Sequence, residues 1–299
     1  MNFKYSIVVP HYNSLVGLER LLASIPQRSD IQVIVVDDNS KDTPDTRYFS
    51  EEFPQLNLSI YANDSGVKGA GAARNVGLKH LDSEYTIFAD ADDFFTQDAF
   101  SILDGKLAGN DITYFAPISQ CEVTGETTDR HETWANLVKQ HIETGNEDIR
   151  FHFAVPWSKV YRTSFIKGKS LYFDQVIAWN DVMFSLVSGY KSNSIASHLD
   201  AIYCVTKGQG TITGTFTSTA VRSRFDVQMR RVAYIHSNGI PTESYSFYKM
   251  IKNFHKVMNW EDYNQVFKLL FQSKITLLPS RTYFYLKKPS RIRERFLSK

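Results

Sequence analysis

Five short runs of β-branched and aromatic residues in the first 116 positions set the strongest limit on how this chain can fold. Tyr5–Pro10, Gln32–Val36, Leu58–Tyr61, Tyr85–Ala89 and Asp111–Ala116 are apolar almost continuously rather than at alternate positions. Each predicted strand is therefore covered by protein on both faces. Helical segments lie between them: Leu15, Leu18, Leu22 and Ile25 share one helical face, Gly71 to Leu81 reads as a helix, and another is expected near Gln97 to Leu107. Strand–helix alternation requires right-handed crossovers, so a parallel, three-layer α/β sheet follows. Ligands of such sheets bind at the carboxyl ends of the strands.

Polar residues gather at those ends. The first strand runs into Pro10-His-Tyr-Asn13, the second into Asp37-Asp-Asn-Ser40 and the fourth into Asp90-Ala-Asp-Asp93. Any one of these is ordinary turn and helix-cap chemistry. Three in register after three strands face one crevice with acids, an amide and an aromatic ring. Asp90 and Asp92, at i and i+2 beyond a strand, project their carboxylates to the same side. Such a pair, with no His or Cys nearby, suits Mg²⁺ or Mn²⁺ bound to a diphosphate, since these hard ions take carboxylates, waters and phosphate oxygens. The alternative is that Asp92 and Asp93 cap the following helix. Gly66-Val-Lys-Gly-Ala-Gly71 lacks the Gly-Lys-Ser/Thr ending of a triphosphate loop; its glycines are expected to let the next helix approach closely, with Arg74 and Asn75 pointing toward the crevice or capping its edge.

The second half changes character. Mixed strands and loops are expected from Pro117 to Ile212, and amphipathic patterns after Ser218, punctuated by Pro241 and Pro279, predict a C-terminal helical region. Net charge is +2, but residues 250–299 hold eleven Lys and Arg against three acids, so the remainder is acidic. The last nineteen residues, from Arg281, mix seven basic groups and one acid with Tyr283, Phe284, Tyr285, Leu286, Ile292, Phe296 and Leu297. That mixture is expected to adsorb peripherally to anionic lipid rather than to bind nucleic acid. No run approaches the ~18–20 apolar residues of a membrane span, and Pro10 and His11 interrupt the start before a signal-peptide core. A cytoplasmic chain, soluble or at the inner membrane face, is expected. Cys121 and Cys204 form no CxxC pattern and are expected as small buried hydrophobes in a reducing compartment. The eight His residues show no ligand spacing.

Four segments in order, Ser6-Ile-Val-Val-Pro-His-Tyr-Asn13, Val35-Val-Asp-Asp-Asn-Ser40, Gly71-Ala-Ala-Arg-Asn-Val-Gly77 and Phe88-Ala-Asp-Ala-Asp-Asp93, resemble the successive signatures of family 2 glycosyltransferases with the GT-A fold. Pro156-Trp-Ser-Lys-Val-Tyr-Arg162 and Phe173 to Phe184 look like the acceptor-side segment of bacterial polysaccharide and lipopolysaccharide members. The resemblance covers roughly residues 4–215. It implies a Rossmann-like, mostly parallel sheet between helices, with a nucleotide-sugar half at 1–116, an acceptor-side half at 117–215 and a C-terminal helical region at 216–299.

The resemblance also implies roles. Pro10, Tyr12 and Asn13 match the nucleoside-pocket loop, Tyr12 stacking on the base. Asp38 matches the acid that accepts from uracil N3–H, which favours a UDP-sugar donor. Asp90 and Asp92 match the DxD motif that holds ribose and, through a divalent cation, the diphosphate. Asp181 matches the catalytic base, which would deprotonate the acceptor hydroxyl for in-line, inverting attack at the anomeric carbon. Locally, Asp181 also reads as the N-cap of a helix from Val182 to Tyr190. Two departures stand out: Asn180 occupies the place of the family's usual Glu, and Thr206 to Thr213 replaces an Arg-bearing closing loop, with Lys207 in place of the arginine. Trp157 and Trp179 are candidates for lining the acceptor site, whereas Trp134 and Trp260 are expected in the core.

The expected activity is metal-dependent transfer of a sugar to a hydroxyl of a growing, lipid-linked bacterial surface glycan. The competing readings are a sugar nucleotidyltransferase, disfavoured because Pro10–Asn13 is not a Gly- and Arg-rich triphosphate loop, and a non-catalytic nucleotide-sugar binding module.

Overall fold

The apolar runs become strands whose alternate residues enter opposite cores. In β1 (Phe3–His11), Ile7 and Val9 pack on one side of the sheet and Val8 on the other; in β2 (Ile31–Asp37), Val33 and Val35 oppose Ile34 and Val36. This is why neither strand shows a polar alternation. The computed structural model describes residues 2–208, 217–242 and 245–279. The chain divides into two units, residues 1–214 and 215–299.

The first unit is built on a seven-stranded sheet of order β3-β2-β1-β4-β8-β6-β9, completed by β3 (Asn57–Ala62), β4 (Ser83–Phe88), β6 (Ile112–Phe115), β8 (Lys159–Arg162) and β9 (Ile195–His198). Helices α1 (Leu15–Ala23), α2 (Thr46–Glu52) and α4 (Ala99–Lys106) cover one face through Leu18, Leu22, Phe49 and Leu103. The other face carries α3 (Ala70–Leu78), α7 (Thr163–Gly168) and α8 (Val182–Lys191) through Val76, Phe165 and Phe184. Between α4 and α8 the chain also forms α5 (Glu132–Thr144) and α6 (Ile149–His152).

The sheet is mostly parallel, with one correction to a fully parallel reading. β8 lies between β4 and β6 and runs antiparallel to both. Its four residues show only Val160 and Tyr161 as a strand signal, because Lys159 and Arg162 break the apolar run.

Register aligns the strand ends. β1 pairs β2 with His11 opposite Asp37, and pairs β4 with Val8 opposite Phe88. The loops after β1, β2 and β4 thus emerge on one edge. A second sheet, β5 (Phe94–Phe95), β10 (Tyr203–Lys207) and β7 (Ile118–Cys121), folds against the loop that follows β4. Cys204 is buried in it, but Cys121 is half-buried, against expectation, because it ends the outer strand β7; both thiols are free.

The second unit contains α9 (Ser218–Ser237), α10 (Phe247–Phe254) and α11 (Trp260–Phe271). Side chains of Thr217, Ser246 and Asn259 cap them, and Asp262 completes a capping box while accepting from Arg222. Trp260, expected in the core, is 79% exposed. It opens α11 on the side away from the buried Asp262 and Val266. Among the described residues no helix is long and apolar enough to cross a membrane. The basic tail from Arg281 lies outside the described residues.

Candidate active site

At the end of β1, His11 is buried and its Nδ1 lies 2.9 Å from Asp37 Oδ1, while its Nε2 accepts from the Ser14 amide at 3.2 Å. Ser40 donates to Asp37 Oδ1 at 2.5 Å and accepts from the Asn13 amide at 2.9 Å. Asn13, in the left-handed region at φ 50°, returns a bond by accepting from the Lys41 amide at 2.8 Å. These contacts fasten the loop carrying Pro10 and Tyr12 to the loop carrying Asp38. Tyr12 stands out at 46% exposure with the Lys68 ammonium 4.0 Å from its ring centre, and that cation lowers the phenol pKa.

Asp38 is buried beside it. Its Oδ1 accepts from Asn63 at 2.6 Å and its Oδ2 from the Gly69 amide at 2.7 Å. Asn63 follows the last residue of β3, so a fourth strand end joins the crevice. A polar residue two positions past the Leu58–Tyr61 run is the signal that would have revealed it.

The loop after β4 is gripped through its backbone. The Asp90 amide donates to Tyr203 Oη at 2.8 Å, Thr206 Oγ1 donates to the Asp92 carbonyl at 2.5 Å, and Arg20 of α1 donates to the same carbonyl. Gly17 lets α1 come this near: a Cβ there would stand 2.7 Å from the Ala91 carbonyl oxygen and 3.2 Å from Asp92 Cα. Carboxylate atoms of Asp90, Asp92 and Asp93 lie within 4.8 Å of one another. Burial, then the Asp90 charge, raises the Asp92 pKa; burial and both neighbouring acids raise that of Asp93 further. Asp93 is fully enclosed and accepts from the Thr206 amide at 2.7 Å. Neither Asp92 nor Asp93 caps α4, whose N-cap position is Asp98. Clustered carboxylates of this kind form a hard-oxygen donor set that a divalent cation would neutralise.

Arg74 joins this loop to the segment before α8. Its guanidinium donates to Asp90 Oδ1 at 2.5 Å and to Asn180 Oδ1 at 2.8 Å, and lies 5.2 Å from the Phe173 ring centre. Asn75, next on α3, clamps Phe173 at both ends of its peptide: Asn75 Nδ2 donates to the Phe173 carbonyl at 2.9 Å and Oδ1 accepts its amide at 2.8 Å. Gly71 permits that contact, because a Cβ there would fall 2.1 Å from the Asp174 carbonyl oxygen. Asp181 occupies the N-cap position of α8, yet its side chain makes no capping bond. Burial pushes its pKa up to about 6, against the opposing pull of Arg74 and Lys159.

The remaining expected residues are dispersed. Trp157 is 4% exposed, stacked on Tyr203 at 6.0 Å and edge-on to Trp134, so its ring is enclosed by the core rather than open to the crevice. Trp134 packs against that core as expected. Trp179 is half-buried, with φ 62°, two residues before Asp181. Lys207 is exposed and pairs with Asp129 at 3.2 Å. Residues 209–216, which include most of the expected closing segment, lie outside the described residues. Sequence reasoning passed over Arg20 on α1 and Tyr203 on β10 and gave Thr206 no role of its own, because their contacts join segments far apart in the chain.

A family model described as "Glycosyl transferase family 2" matches residues 6–168. The poly(ribitol-phosphate) beta-N-acetylglucosaminyltransferase TarS of Staphylococcus aureus is 27% identical over 218 residues, which is 69% of this chain and 36% of the relative. The chain thus spans about a third of that relative's length. The GalNAc(5)-diNAcBac-PP-undecaprenol beta-1,3-glucosyltransferase of Campylobacter jejuni is 23% identical, covering 90% of this chain and 88% of the relative. The crystal structure of S. aureus TarS 1-349 in complex with UDP-GlcNAc superposes with a TM-score of 0.61 at 24% identity, over 86% of this chain and 72% of the other. The fold is therefore the GT-A fold. With more than half its length matched by the family model and the four motifs converging on one crevice, the chain belongs to glycosyl transferase family 2.

Proposed function

We propose that the chain transfers a sugar, with inversion, from a UDP-sugar to a hydroxyl of a bacterial surface glycan. The observation that carries this reading is the Arg74 fork, which ties the acidic loop at Asp90 to Asn180, the residue before Asp181. A diphosphate site and a base on a separate segment thereby share one crevice.

In this reading Tyr12 stacks on the base, with Pro10 and Asn13 shaping the loop, and Asp38 accepts from the uracil imide through lone pairs that its two protein donors leave free. Asp90 and Asp92 would hold a divalent cation, Mg²⁺ or Mn²⁺, which when bound would neutralise the charge that develops on the leaving diphosphate. Arg74 adds fixed positive charge on the same side. Asp181 accepts the acceptor hydroxyl proton as that oxygen attacks the anomeric carbon; its raised pKa makes it a stronger base than an ordinary aspartate. Trp179 and Lys207 border the acceptor and diphosphate ends.

The UDP-GlcNAc complex of TarS supports the donor class, and the PP-undecaprenol in the Campylobacter relative's name supports a lipid-linked acceptor. For such an acceptor, the basic and aromatic tail from Arg281 would bring the chain to the inner membrane face. The test is a panel of nucleotide sugars scored for slow divalent-dependent release of free nucleotide, which requires no knowledge of the acceptor. Release from a UDP-sugar, abolished by Asp181→Asn with UDP affinity kept, supports the proposal. Binding without release from any donor would make the chain a nucleotide-sugar binding module.

A further inference from the structure

Lys159 is a charged side chain buried near the crevice, at 1% exposure, and no step above uses it. It opens β8 within the Pro156–Arg162 segment. Its Nζ donates to the Phe153 carbonyl at 2.9 Å and to Ser185 Oγ at 3.2 Å. Three rings surround the ammonium, with centres at 5.1 Å for Phe153, 5.6 Å for Tyr114 and 5.7 Å for Tyr161. Ser185 lies one turn into α8, and its amide donates to the Asp181 carbonyl at 2.9 Å.

A lysine is a costly way to fill such a space. An ammonium in an apolar pocket loses its hydration, and two neutral acceptors do not replace a counter-ion. Methionine would fill a similar volume without that loss. The amine is nevertheless fastened to the first turn of the helix whose N-cap is Asp181, and the Asp181 side chain has no capping bond of its own to hold it there.

Resting on the reading of Asp181 as the base, we propose that Lys159 is its positioning residue: the buried ammonium pins the first turn of α8 and sets a positive charge behind the Asp181 carboxylate.

The charged and titratable surroundings are consistent with this role. Asp181 is the carboxylate whose charge acts on Lys159, and Lys159 in turn favours the ionised form of Asp181. The phenols of Tyr114 on β6 and Tyr161 on β8 are pushed up by burial and stay neutral near pH 7. Just past α6, the Phe153 carbonyl and ring meet the ammonium. On the crevice side, Asp181 also feels Arg74 from α3 and Asp90 from the loop after β4. Burial brings the Lys159 pKa down to about 7, so the amine is charged at the pH where Asp181 titrates.

The test is a carboxyl-carbon NMR titration of the full chain, with the Asp181 signal assigned by its loss in Asp181→Asn. In Lys159→Met the midpoint should rise by roughly half to one unit, since an opposite charge nearby favours the ionised carboxylate. Lys159→Arg, which keeps the charge, should restore it, and UDP affinity should stay within twofold in both. A second readout needs no substitution: in the wild-type protein the Asp181 signal should carry a smaller inflection near pH 7, where Lys159 loses its proton. An unchanged midpoint in Lys159→Met, or a wild-type curve with a single inflection, overturns the proposal. Full turnover in Asp181→Asn would instead overturn the assignment of the base, whatever the titration gives.

Discussion

Replacing Asp181 by Asn should make the protein more stable at neutral pH while abolishing transfer. The folded pKa of Asp181 is raised from 3.8 to about 6 by burial. A carboxyl that binds its proton more tightly when folded loses stability as pH rises. Well below pH 3.8 both states are protonated and the group contributes nothing; above about pH 6 the folded state holds an anion that unfolding would relieve. Two units at 1.36 kcal/mol each put this cost near 3 kcal/mol at pH 7.5. Asn has the shape of the protonated acid and bears no charge, so it removes that cost. For a unit of this size 1 kcal/mol moves the melting temperature by roughly 2–4 °C, so Asp181→Asn should melt about 5–10 °C higher at pH 7.5. Thermal melts of both proteins between pH 4.5 and 8 supply the assay, and the gap should close toward the acid end. A variant that is less stable at pH 7.5, or a gap independent of pH, would show that Asp181 is not held against its ionisation and refute the argument.

Other outcomes follow from the same geometry. Turnover should lose about tenfold between pH 7 and pH 5, because a base with pKa about 6 is then largely protonated; a profile flat to pH 5 would remove Asp181 from the proton transfer. Calorimetry of UDP with Mn²⁺ should show affinity falling at least about tenfold in Asp92→Ala or with chelator, as diphosphate and clustered carboxylates repel without a cation. Equal affinity in the two conditions takes the metal out of the mechanism. Gly17→Ala drives a Cβ against the Ala91 carbonyl and Asp92 Cα, and backbone cannot swing aside as a side-chain tip can. It should cost about 1–3 kcal/mol of stability and roughly 10–100-fold in turnover; wild-type turnover in a folded Gly17→Ala protein would mean the acidic loop tolerates displacement.

Much of the fold was legible because the information is local and periodic. Ile7, Val8 and Val9 declare a strand buried on both faces by being apolar in succession, and Leu15, Leu18 and Leu22 declare a helix by their spacing. Polar residues placed directly after such runs, from Asp37 to Ser40 and from Asp90 to Asp93, mark the crevice edge because strands in parallel register end together. The sequence by itself thus determined the layered sheet, the edge that carries the site and the acids at that edge.

Only the tertiary structure decided which groups meet across the chain. Arg74 and Asn180 are 106 positions apart and share a hydrogen bond because α3 and the start of α8 cover the same face of the sheet. Strand β8 was hidden because Lys159, which breaks its apolar pattern, is buried; periodicity treats a lysine as a surface residue, whereas here three rings and two acceptors enclose it. Trp157 and Trp260 exchanged expectations for the same reason: a ring's exposure depends on what packs against it, and Tyr203 and Trp134 come to Trp157 from distant strand and helix. The proton affinity of Asp181 likewise arises from burial and from the charges of Arg74 and Lys159, which come together only when the sheet has closed.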